Sequence, residues 1–249
     1  MSKVPYVVAH RGVSAFYPEN TLVAFQAAVE LGVDWIELDV VTTSDNIVIV
    51  SHDTTADRCT DGSGVFKDMR LNQVKALDAG SWFAQRFAGE RIPTLSEVIS
   101  LIANTSVRLC IEIKGDTPTD SLATAYATVT LLREHNFFHQ SSVASFDAAC
   151  LQIIRSLEPR ITVNLDPTPQ DGSLSAEEMC QQCLHCNANF MSHTYETLTS
   201  VHVDAAHTHG LALWAWTVND AASMRHLITL GVDGILSDDP EKLKNLLLG

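Results

Sequence analysis

Basic residues are scarce in this sequence. It contains 16 Lys and Arg against 30 Asp and Glu, which gives a formal net charge of −14 at pH 7. Proteins that bind nucleic acids cluster Lys and Arg against the phosphate backbone, so this composition argues against nucleic acid as a partner. Net charge describes the whole surface, however, and a local site for one phosphate group is compatible with it.

Long apolar segments are also missing. No stretch approaches the roughly 20 apolar residues that span a membrane, and the N-terminus carries no signal-peptide core. We therefore expect a cytoplasmic protein without a membrane span. In that compartment the six cysteines, at positions 59, 110, 150, 180, 183 and 186, are expected to be reduced thiols.

Low-complexity runs, long Pro/Gly/Ser linkers and short-period repeats are absent as well, so nothing divides the chain. Its 249 residues are 46% hydrophobic and 18% charged, which is typical of a globular protein. A barrel of eight βα units needs about 250 residues in a single domain. We expect one domain that covers residues 1–249.

Short β-branched segments alternate with helical patterns along the chain. The first helical pattern runs from Leu22 to Val29 and ends at Gly32, and later ones cover Ser96–Ala103, Ser121–Glu134, Ala148–Leu157, Ala176–Cys186 and Ala221–Leu230. Repeated strand–helix units build a parallel sheet, and eight units at this length favour a closed TIM (β/α)8 barrel. The predicted strands are Tyr6–Ala9, Trp35–Val41, Val107–Ile113, Ser142–Phe146, Ile161–Asn164, Asn189–Ser192, Leu211–Thr217 and Gly234–Leu236.

One segment breaks this alternation. After the second strand, a turn at residues 43–46 leads into a returning apolar run, Ile47–Val50, and residues 53–93 then contain no clear barrel strand. They hold a Gly-rich turn and two helix-like stretches with Trp82 and Phe83. We interpret residues 53–93 as a small inserted subdomain that caps the barrel mouth.

Charged residues interrupt two predicted strands towards their C-terminal ends, the end of a barrel strand where catalytic residues gather. Because side chains alternate between the two faces of a strand, Glu37 and Asp39 share one face, and Glu112 and Lys114 share one face of the third strand. Three neighbouring buried carboxylates require a compensating cation or proton. An all-oxygen cluster favours one divalent cation, Mg²⁺ or Ca²⁺, over zinc.

Two histidines lie at strand ends close to these acids. His10 ends the first strand beside Arg11, and His52 ends the returning run. Imidazoles exchange protons near neutral pH, so the pair suits acid–base catalysis. A lone strand-end His or a lone Glu-x-Asp is usually structural, and the functional interpretation depends on the whole set.

Two further groups of potential ligands are interpreted as structural. One consists of three cysteines that would share a helix face and pack as small hydrophobes, Cys180, Cys183 and Cys186. The other consists of three histidines without consistent ligand spacing, for which solvated or capping roles are expected, His202, His207 and His209.

The motifs occur in a characteristic order: His10-Arg11-Gly12, Pro18-Glu19-Asn20-Thr21, Glu37-Leu-Asp39, His52-Asp53, Arg58, Thr60-Asp-Gly-Ser-Gly64, Ile92-Pro-Thr-Leu95, Ile111-Glu-Ile-Lys114, Trp216-Thr-Val-Asn219 and Gly231-Val-Asp-Gly-Ile235. In this order they resemble the signature of glycerophosphodiester phosphodiesterases. The resemblance spans nearly the full chain and weakens between Asp116 and Leu211. The family fold is a TIM barrel with a small inserted subdomain, in agreement with the organisation expected above.

The resemblance implies a role for each matching residue. By this match the acid–base pair is His10 and His52, the metal ligands are Glu37, Asp39 and Glu112, and the phosphate-binding residues are Arg11 and Lys114. Glu19 and Asn20 match loop residues expected to bind substrate, although Asn20 could equally be a helix cap. Trp216 matches an aromatic residue that lines the pocket, and it would also suit the barrel core.

The implied function is metal-dependent hydrolysis of a small glycerophosphodiester to glycerol 3-phosphate and an alcohol. Two alternatives stay open. One is a lysophospholipase D or a related lipid phosphodiesterase on the same barrel, and the other is a non-catalytic barrel that binds a metabolite. The preferred alcohol, the identity of the ion, the histidine that acts as base and the oligomeric state also stay open.

Overall fold

A computed structural model describes residues 4–167 and 174–248, so the ends of the expected domain, residues 1–3 and 249, lie outside the described residues. Strands and helices alternate along nearly all of the described chain. They are β1 (Tyr6–His10), α1 (Leu22–Leu31), β2 (Trp35–Thr42), β3 (Val48–Val50), α2 (Leu71–Val74), α3 (Leu95–Ile102), β4 (Arg108–Ile113), α4 (Pro118–Glu134), β5 (Ser141–Ser145), α5 (Ala148–Leu157), β6 (Thr162–Leu165), α6 (Ala176–His185), β7 (Phe190–Thr194), α7 (Ser200–Thr208), β8 (Ala212–Trp216), α8 (Ala221–Leu230), β9 (Gly234–Ser237) and α9 (Pro240–Leu248).

Eight of these strands close into a parallel barrel. Neighbouring strands follow the order β1-β9-β8-β7-β6-β5-β4-β2, and pairing of β1 with β2 completes the ring. Strand β3 lies outside the ring, antiparallel to the end of β2. The predicted TIM barrel is therefore confirmed, because eight parallel strands with helices between them close on themselves.

Most predicted elements occur where the sequence pattern placed them. Each predicted barrel strand is present with slightly shifted ends, and α5 and α8 have the predicted bounds. Gly32 ends α1 in the left-handed region, with φ of 69°. The helix α9 was not predicted; Lys244 from this helix donates to the carbonyl oxygens of Leu31 and Gly32 at 2.5 and 3.0 Å, so α9 also caps the end of α1.

The apolar core has two layers because strand side chains alternate in direction. Residues such as Ile36, Leu38 and Ile111 belong to the large cluster that joins the strands to the surrounding helices. Their neighbours point inward, where a second cluster contains Val8, Trp35, Cys110, Ala144, Phe190, Trp214 and Leu236. The rings of Phe190 and Trp214 are 4.4 Å apart and those of Trp35 and Trp214 5.2 Å apart, so aromatic side chains fill the barrel interior.

The β2–β3 hairpin leads into residues 53–93, which have a separate small core. Phe66, Val74 and Ile92 pack there against Val41 and Ile49 of the hairpin. The helical part of this segment consists of the short α2 and two 3₁₀ helices, Phe66–Asp68 and Gln85–Phe87, and none of them includes Trp82 or Phe83.

A competing set of hydrogen bonds explains why Trp82 and Phe83 lie outside any helix. The Asp78 carboxylate accepts from the backbone N–H groups of Gly80, Ser81 and Gly89 at 2.8, 2.8 and 2.7 Å. Such side chain-to-backbone bonds satisfy the backbone locally and compete with helix formation.

Two further features of the described residues are the character of the helices and the state of the cysteines. No described helix combines the length and the apolar character needed to cross a bilayer. All six cysteines are free thiols, and all except Cys59 are buried.

Two glycines with positive φ provide a test of the packing at the start of the barrel. At Gly12 (φ of 86°) an added Cβ would lie 2.8 Å from the backbone of Ala24 in α1, whereas at Gly89 (φ of 92°) nothing lies within 4 Å of it. We expect Gly89→Ala to cost about 1–2 kcal/mol through backbone strain alone, and Gly12→Ala about 1–3 kcal/mol more through overlap with α1. Scanning calorimetry should give the larger fall in Tm for Gly12→Ala, and equal shifts would contradict the close contact.

Candidate active site

A cavity of about 270 Å³ opens at the C-terminal ends of the barrel strands, above the aromatic interior. The predicted site residues that line it are His10, Arg11, Glu37, His52, Glu112, Lys114 and Trp216. The period-two alternation causes this placement. Trp35, Glu37 and Asp39 share a face of β2, so the same face that fills the barrel interior ends in charged groups at the mouth.

Three carboxylates form the centre of the site. Oxygen atoms of Glu37, Asp39 and Glu112 lie within 4.8 Å of one another. Strand register accounts for this, since Asp39 of β2 is directly beside Glu112 of β4. Glu37 and Asp39 are buried and Glu112 is partly buried. In residues 4–167 and 174–248 no other group of three or more His, Cys, Asp or Glu side chains has the proximity needed to hold a metal ion.

Two cations oppose these carboxylates. The Nε atom of Arg11 is 3.4 Å from Asp39 Oδ2, and the Nζ atom of Lys114 is 3.2 Å from Asp39 Oδ1 and 2.5 Å from Glu112 Oε1. The backbone N–H of Arg11 also donates to Glu37 Oε2 at 3.1 Å. Two positive groups against three carboxylates leave the cluster one cation short of balance.

The pKa values of the three acids reflect this imbalance. Burial and the neighbouring charge of Asp39 raise the pKa of Glu37 to about 8. Burial and Asp39 likewise raise the pKa of Glu112. Burial also disfavours the ionised form of Asp39, but Lys114 and Arg11 outweigh it and its pKa falls below the usual range. The side chains alone therefore stabilise one carboxylate fully, and a proton or a bound cation must compensate the others.

His10 ends β1 between two carboxylates. Its Nδ1 atom is 2.6 Å from Asp238 Oδ1, and its Nε2 atom is 3.9 Å from Glu37 Oε2. Burial lowers the pKa of His10, but the hydrogen bond to Asp238 and the charge of Glu37 outweigh burial, and the net pKa is raised. The chain turns sharply after this residue through positive φ angles of 55° at Arg11 and 86° at Gly12.

His52 follows β3 at the other side of the cavity. Its Nδ1 atom is 2.7 Å from the Oδ1 atom of Asp53, which also accepts hydrogen bonds from Arg58. Burial lowers the pKa of His52, and the opposing effects of Asp39 and Asp53 do not restore it. The two histidines therefore have pKa values displaced in opposite directions.

Asn20 and Glu19 lie beside the cavity without lining it. The side-chain amide of Asn20 donates to Asp39 Oδ2 at 2.9 Å, and its backbone adopts a φ of 58°, which asparagine tolerates better than most residues. The N-cap of α1 is Thr21, whose hydroxyl accepts from the backbone N–H of Ala24. The helix-cap alternative for Asn20 is therefore wrong, and Asn20 instead fixes the carboxylate of Asp39.

Glu19 joins the barrel to residues 53–93. Its carboxylate accepts from Arg11 Nη1 at 2.8 Å and from Arg58 Nη1 and Nη2 at 2.8 and 2.9 Å. These contacts lower the pKa of Glu19, although burial opposes them. Glu19 thus orients two arginines, and its predicted direct contact with substrate stays a prediction.

Both Trp214 and Trp216 line the cavity, and Trp214 is also part of the aromatic interior, against which Trp216 packs. The indole N–H of Trp216 donates to the carboxylate of Asp166. The ring of Phe146 meets that of Trp216 edge-on at 6.3 Å, and Lys114 Nζ lies 5.6 Å from the centre of the Phe146 ring. The rings of Phe146 and Trp216 therefore form an aromatic part of the cavity wall, which approaches Lys114 beside the acids.

Several neighbours of the site escaped sequence reasoning. They are Asp53, Arg58, Phe146, Asp166 and Asp238, although Asp53 and Arg58 stand within the quoted motifs. Asp166 and Asp238 directly follow β6 and β9, and this position at a strand end was the signal that could have identified them.

The two groups interpreted as structural have structural surroundings. The three cysteines of the α6 region belong to the main apolar core, Cys180, Cys183 and Cys186. The three histidines have partners within the fold, which pair His202 with Thr199, His207 with Asp233 and His209 with Glu177.

Comparison with known proteins identifies relatives over nearly the whole chain. A glycerophosphodiester phosphodiesterase of Caldanaerobacter subterraneus subsp. tengcongensis is 39% identical over 241 residues, which cover 97% of each protein. A glycerophosphodiester phosphodiesterase of Bacillus subtilis is 33% identical over 247 residues, with 94% of this chain and 83% of that protein covered.

Solved structures and a family model agree with these relatives. The structure of an Oleispira antarctica phosphodiesterase, in complex with the product sn-glycerol-3-phosphate, superposes with a TM-score of 0.88 at 30% identity and covers 99% of this chain and 98% of that one. The model of the glycerophosphoryl diester phosphodiesterase family matches residues 10–242. The chain therefore belongs to the glycerophosphoryl diester phosphodiesterase family.

Proposed function

We propose that this protein hydrolyses glycerophosphodiesters to glycerol 3-phosphate and an alcohol, with one divalent cation and the pair His10 and His52. Family membership makes the chain a phosphodiesterase, and sn-glycerol-3-phosphate is the product bound to its Oleispira antarctica relative. The observation that carries the proposal is the convergence of two cations, two imidazoles and two carboxylates on one cavity at the C-terminal face of the barrel, with the buried carboxylate of Asp39 within 4.8 Å of the other two.

The acid cluster fits a hard divalent cation. Its donors are carboxylate oxygens, the ligands that Mg²⁺ and Ca²⁺ prefer. A pKa near 8 at Glu37 indicates that the side chains do not balance the cluster by themselves. Glu37, Asp39 and Glu112 would hold the ion, which would supply positive charge to the phosphate and acidify a glycerol hydroxyl. Both Mg²⁺ and Ca²⁺ are compatible with these donors.

Arg11 and Lys114 would bind the phosphate. Both line the cavity, and both stay protonated because the adjacent acids raise their pKa values against the effect of burial. Fixed positive charge in a partly dehydrated cavity stabilises the negative charge that develops on the phosphoryl oxygens. The same two side chains contact Asp39, so phosphate and acid cluster would share their cations.

The reaction would begin within the substrate. The C2 hydroxyl oxygen of glycerol attacks phosphorus, one histidine accepts the hydroxyl proton, and the bond from phosphorus to the departing alcohol breaks as the other histidine protonates that oxygen. Attack by a tethered hydroxyl has a high effective molarity. Water then adds to the five-membered cyclic phosphate, the bond from phosphorus to the C2 oxygen breaks, and the reversed proton transfers leave glycerol 3-phosphate.

Two broader assignments belong to the same proposal. Residues 53–93 would act as a cap on the barrel mouth, since they have their own small core and supply Arg58, which fixes Asp53 beside His52. The protein would work in a reducing compartment such as the cytoplasm, which suits six free thiols.

Metal removal is expected to abolish turnover, because three converging carboxylates need a cation that the side chains do not supply. Chelation followed by addition of Mg²⁺ or Ca²⁺ should remove and restore hydrolysis of glycerophosphocholine. Glu112→Gln should raise the metal concentration for half-maximal activity at least about tenfold, whereas the exposed Glu134→Gln in α4 should not. Full turnover in excess chelator, with negligible metal content, would contradict the metal requirement.

Loss of either histidine should reduce turnover without unfolding the barrel. His10→Ala and His52→Ala are each expected to lower kcat by about 10²–10⁴-fold, the usual contribution of a general acid or base. The matched control is His226→Ala, which removes an exposed imidazole from α8. Circular dichroism should show the same helix content in all three variants. A variant that kept near-normal kcat would exclude that histidine from the reaction.

The cyclic route predicts a strict need for the C2 hydroxyl. A 2-deoxy analogue of glycerophosphocholine should bind and turn over extremely slowly, because the internal nucleophile is missing. Direct attack by water would make the hydroxyl nearly irrelevant to the rate. Measured kcat values for glycerophosphocholine and its 2-deoxy analogue separate the two routes, and equal values would rule out the cyclic one.

A further inference from the structure

His10 is held by a carboxylate from the far end of the chain. Its Nδ1 atom lies 2.6 Å from the Oδ1 atom of Asp238, a residue 228 positions away that directly follows β9. The closure of the barrel by β1–β9 pairing brings the two together, with Ala9 opposite Ser237. The other ring nitrogen, Nε2, is directed towards the acid cluster, 3.9 Å from Glu37 Oε2.

Asp238 is itself fixed by donors. Asn219 Nδ2 donates to its Oδ2 atom at 2.7 Å, and the hydroxyl of Ser14 shares its one proton between the Oδ1 atom of Asp238 at 3.0 Å and the carbonyl oxygen of His10 at 2.8 Å. In return, Asn219 Oδ1 accepts from the backbone N–H of Asp238 at 3.0 Å and from the Ser237 hydroxyl at 3.1 Å. The carboxylate therefore has a defined orientation before any substrate binds.

An ionised carboxylate only accepts hydrogen bonds, so the contact with Asp238 requires a proton on Nδ1 of His10. In the neutral imidazole the lone pair then lies on Nε2, the atom that faces the cavity. Without this partner, the ring could carry its proton on either nitrogen and rotate about its side-chain bonds. The geometry thus selects one tautomer and one ring orientation.

We propose that Asp238, oriented by Asn219 and Ser14, is a positioning residue that fixes the Nδ1-protonated tautomer of His10 and directs Nε2 to the reacting phosphodiester. This inference rests on the proposed function, in which His10 transfers a proton. It also assigns a role to the Trp216-Thr-Val-Asn219 motif, whose last residue holds the carboxylate of Asp238. Asp53 makes a similar direct contact with Nδ1 of His52, but it is the adjacent residue in the chain and is itself held by Arg58.

The first test compares two neighbouring aspartates. Asp238→Asn keeps the shape of the side chain but removes its charge and offers an amide that can turn a donor towards Nδ1. We expect kcat to fall at least about tenfold with KM changed less than about threefold, because a misplaced proton on the ring affects the reaction more than binding. The control Asp239→Asn removes the same charge one residue away, where Asp239 caps α9 and pairs with Lys242. Its kcat should equal that of the wild type.

The second test asks whether Asp238 acts through His10. In the His10→Ala background, Asp238→Asn should lower the residual kcat no further, because the group that Asp238 positions is gone. An equal loss in both backgrounds would overturn the proposal, as would a rise in KM at unchanged kcat. Full turnover of His10→Ala would contradict the proposed function, whereas an inactive His10→Ala with a fully active Asp238→Asn would contradict only the role of Asp238.

The third test needs no turnover. In protein with ¹⁵N-labelled histidines, the ring nitrogens of His10 should report a proton on Nδ1 in the wild type, with the signals assigned through their loss in His10→Ala. In Asp238→Asn the proton should shift towards Nε2, while Asp239→Asn should leave the signals in place. An unchanged tautomer in Asp238→Asn would overturn the proposal, even if that variant lost stability and activity.

Discussion

The central constraint on this protein is the burial of negative charge at one end of a closed barrel. Glu37 and Asp39 are nearly inaccessible to water, with 4% and 1% of their surface exposed. Two ionised carboxylates at such positions would be very unfavourable without compensation. Arg11 and Lys114 provide most of it, and both are drawn inward to contact Asp39. The surrounding loops, the two histidines and residues 53–93 are arranged around this charge balance.

Barrel closure brings these charged groups together in one candidate active site. The groups that meet there come from β2 and β8, from the ends of β1 and β4, and from the segments after β3 and β9, so no short stretch of chain contains the site. The strands β2 and β4 contribute the apolar side chains of Trp35 and Cys110 to the interior and carboxylates above them, because every second residue points inward. The aromatic interior formed by Trp35, Phe190 and Trp214 excludes water from below. Charges at the mouth therefore interact more strongly than they would at an open surface.

The sequence correctly predicts the features that depend on local information. Period-two alternation correctly placed Glu37 with Asp39 and Glu112 with Lys114, and repeated strand–helix units indicated the barrel. The sequence does not predict contacts between residues that are far apart along the chain, or which of two competing contacts a side chain makes. Asp238 reaches His10 because the first and last strands pair, and residue spacing does not reveal that these two side chains are partners. Asn20 fits a helix cap by residue type, and only the tertiary contact with Asp39 decides against that role.

Residues 53–93 depend on the same charges as the barrel. Arg11 contacts both Asp39 and Glu19, Glu19 contacts Arg58, and Arg58 contacts Asp53 beside His52. The outer ion pairs of this series are too exposed to contribute much to the stability of the fold, since ion pairs at the surface typically give about 0–1 kcal/mol. These ion pairs instead fix geometry, because paired arginine and carboxylate groups hold each other in one orientation. The position of His52 is therefore linked, through this series of ion pairs, to the neutralisation of the Asp39 carboxylate by Arg11. His52 follows β3, whereas Asp39 lies on β2.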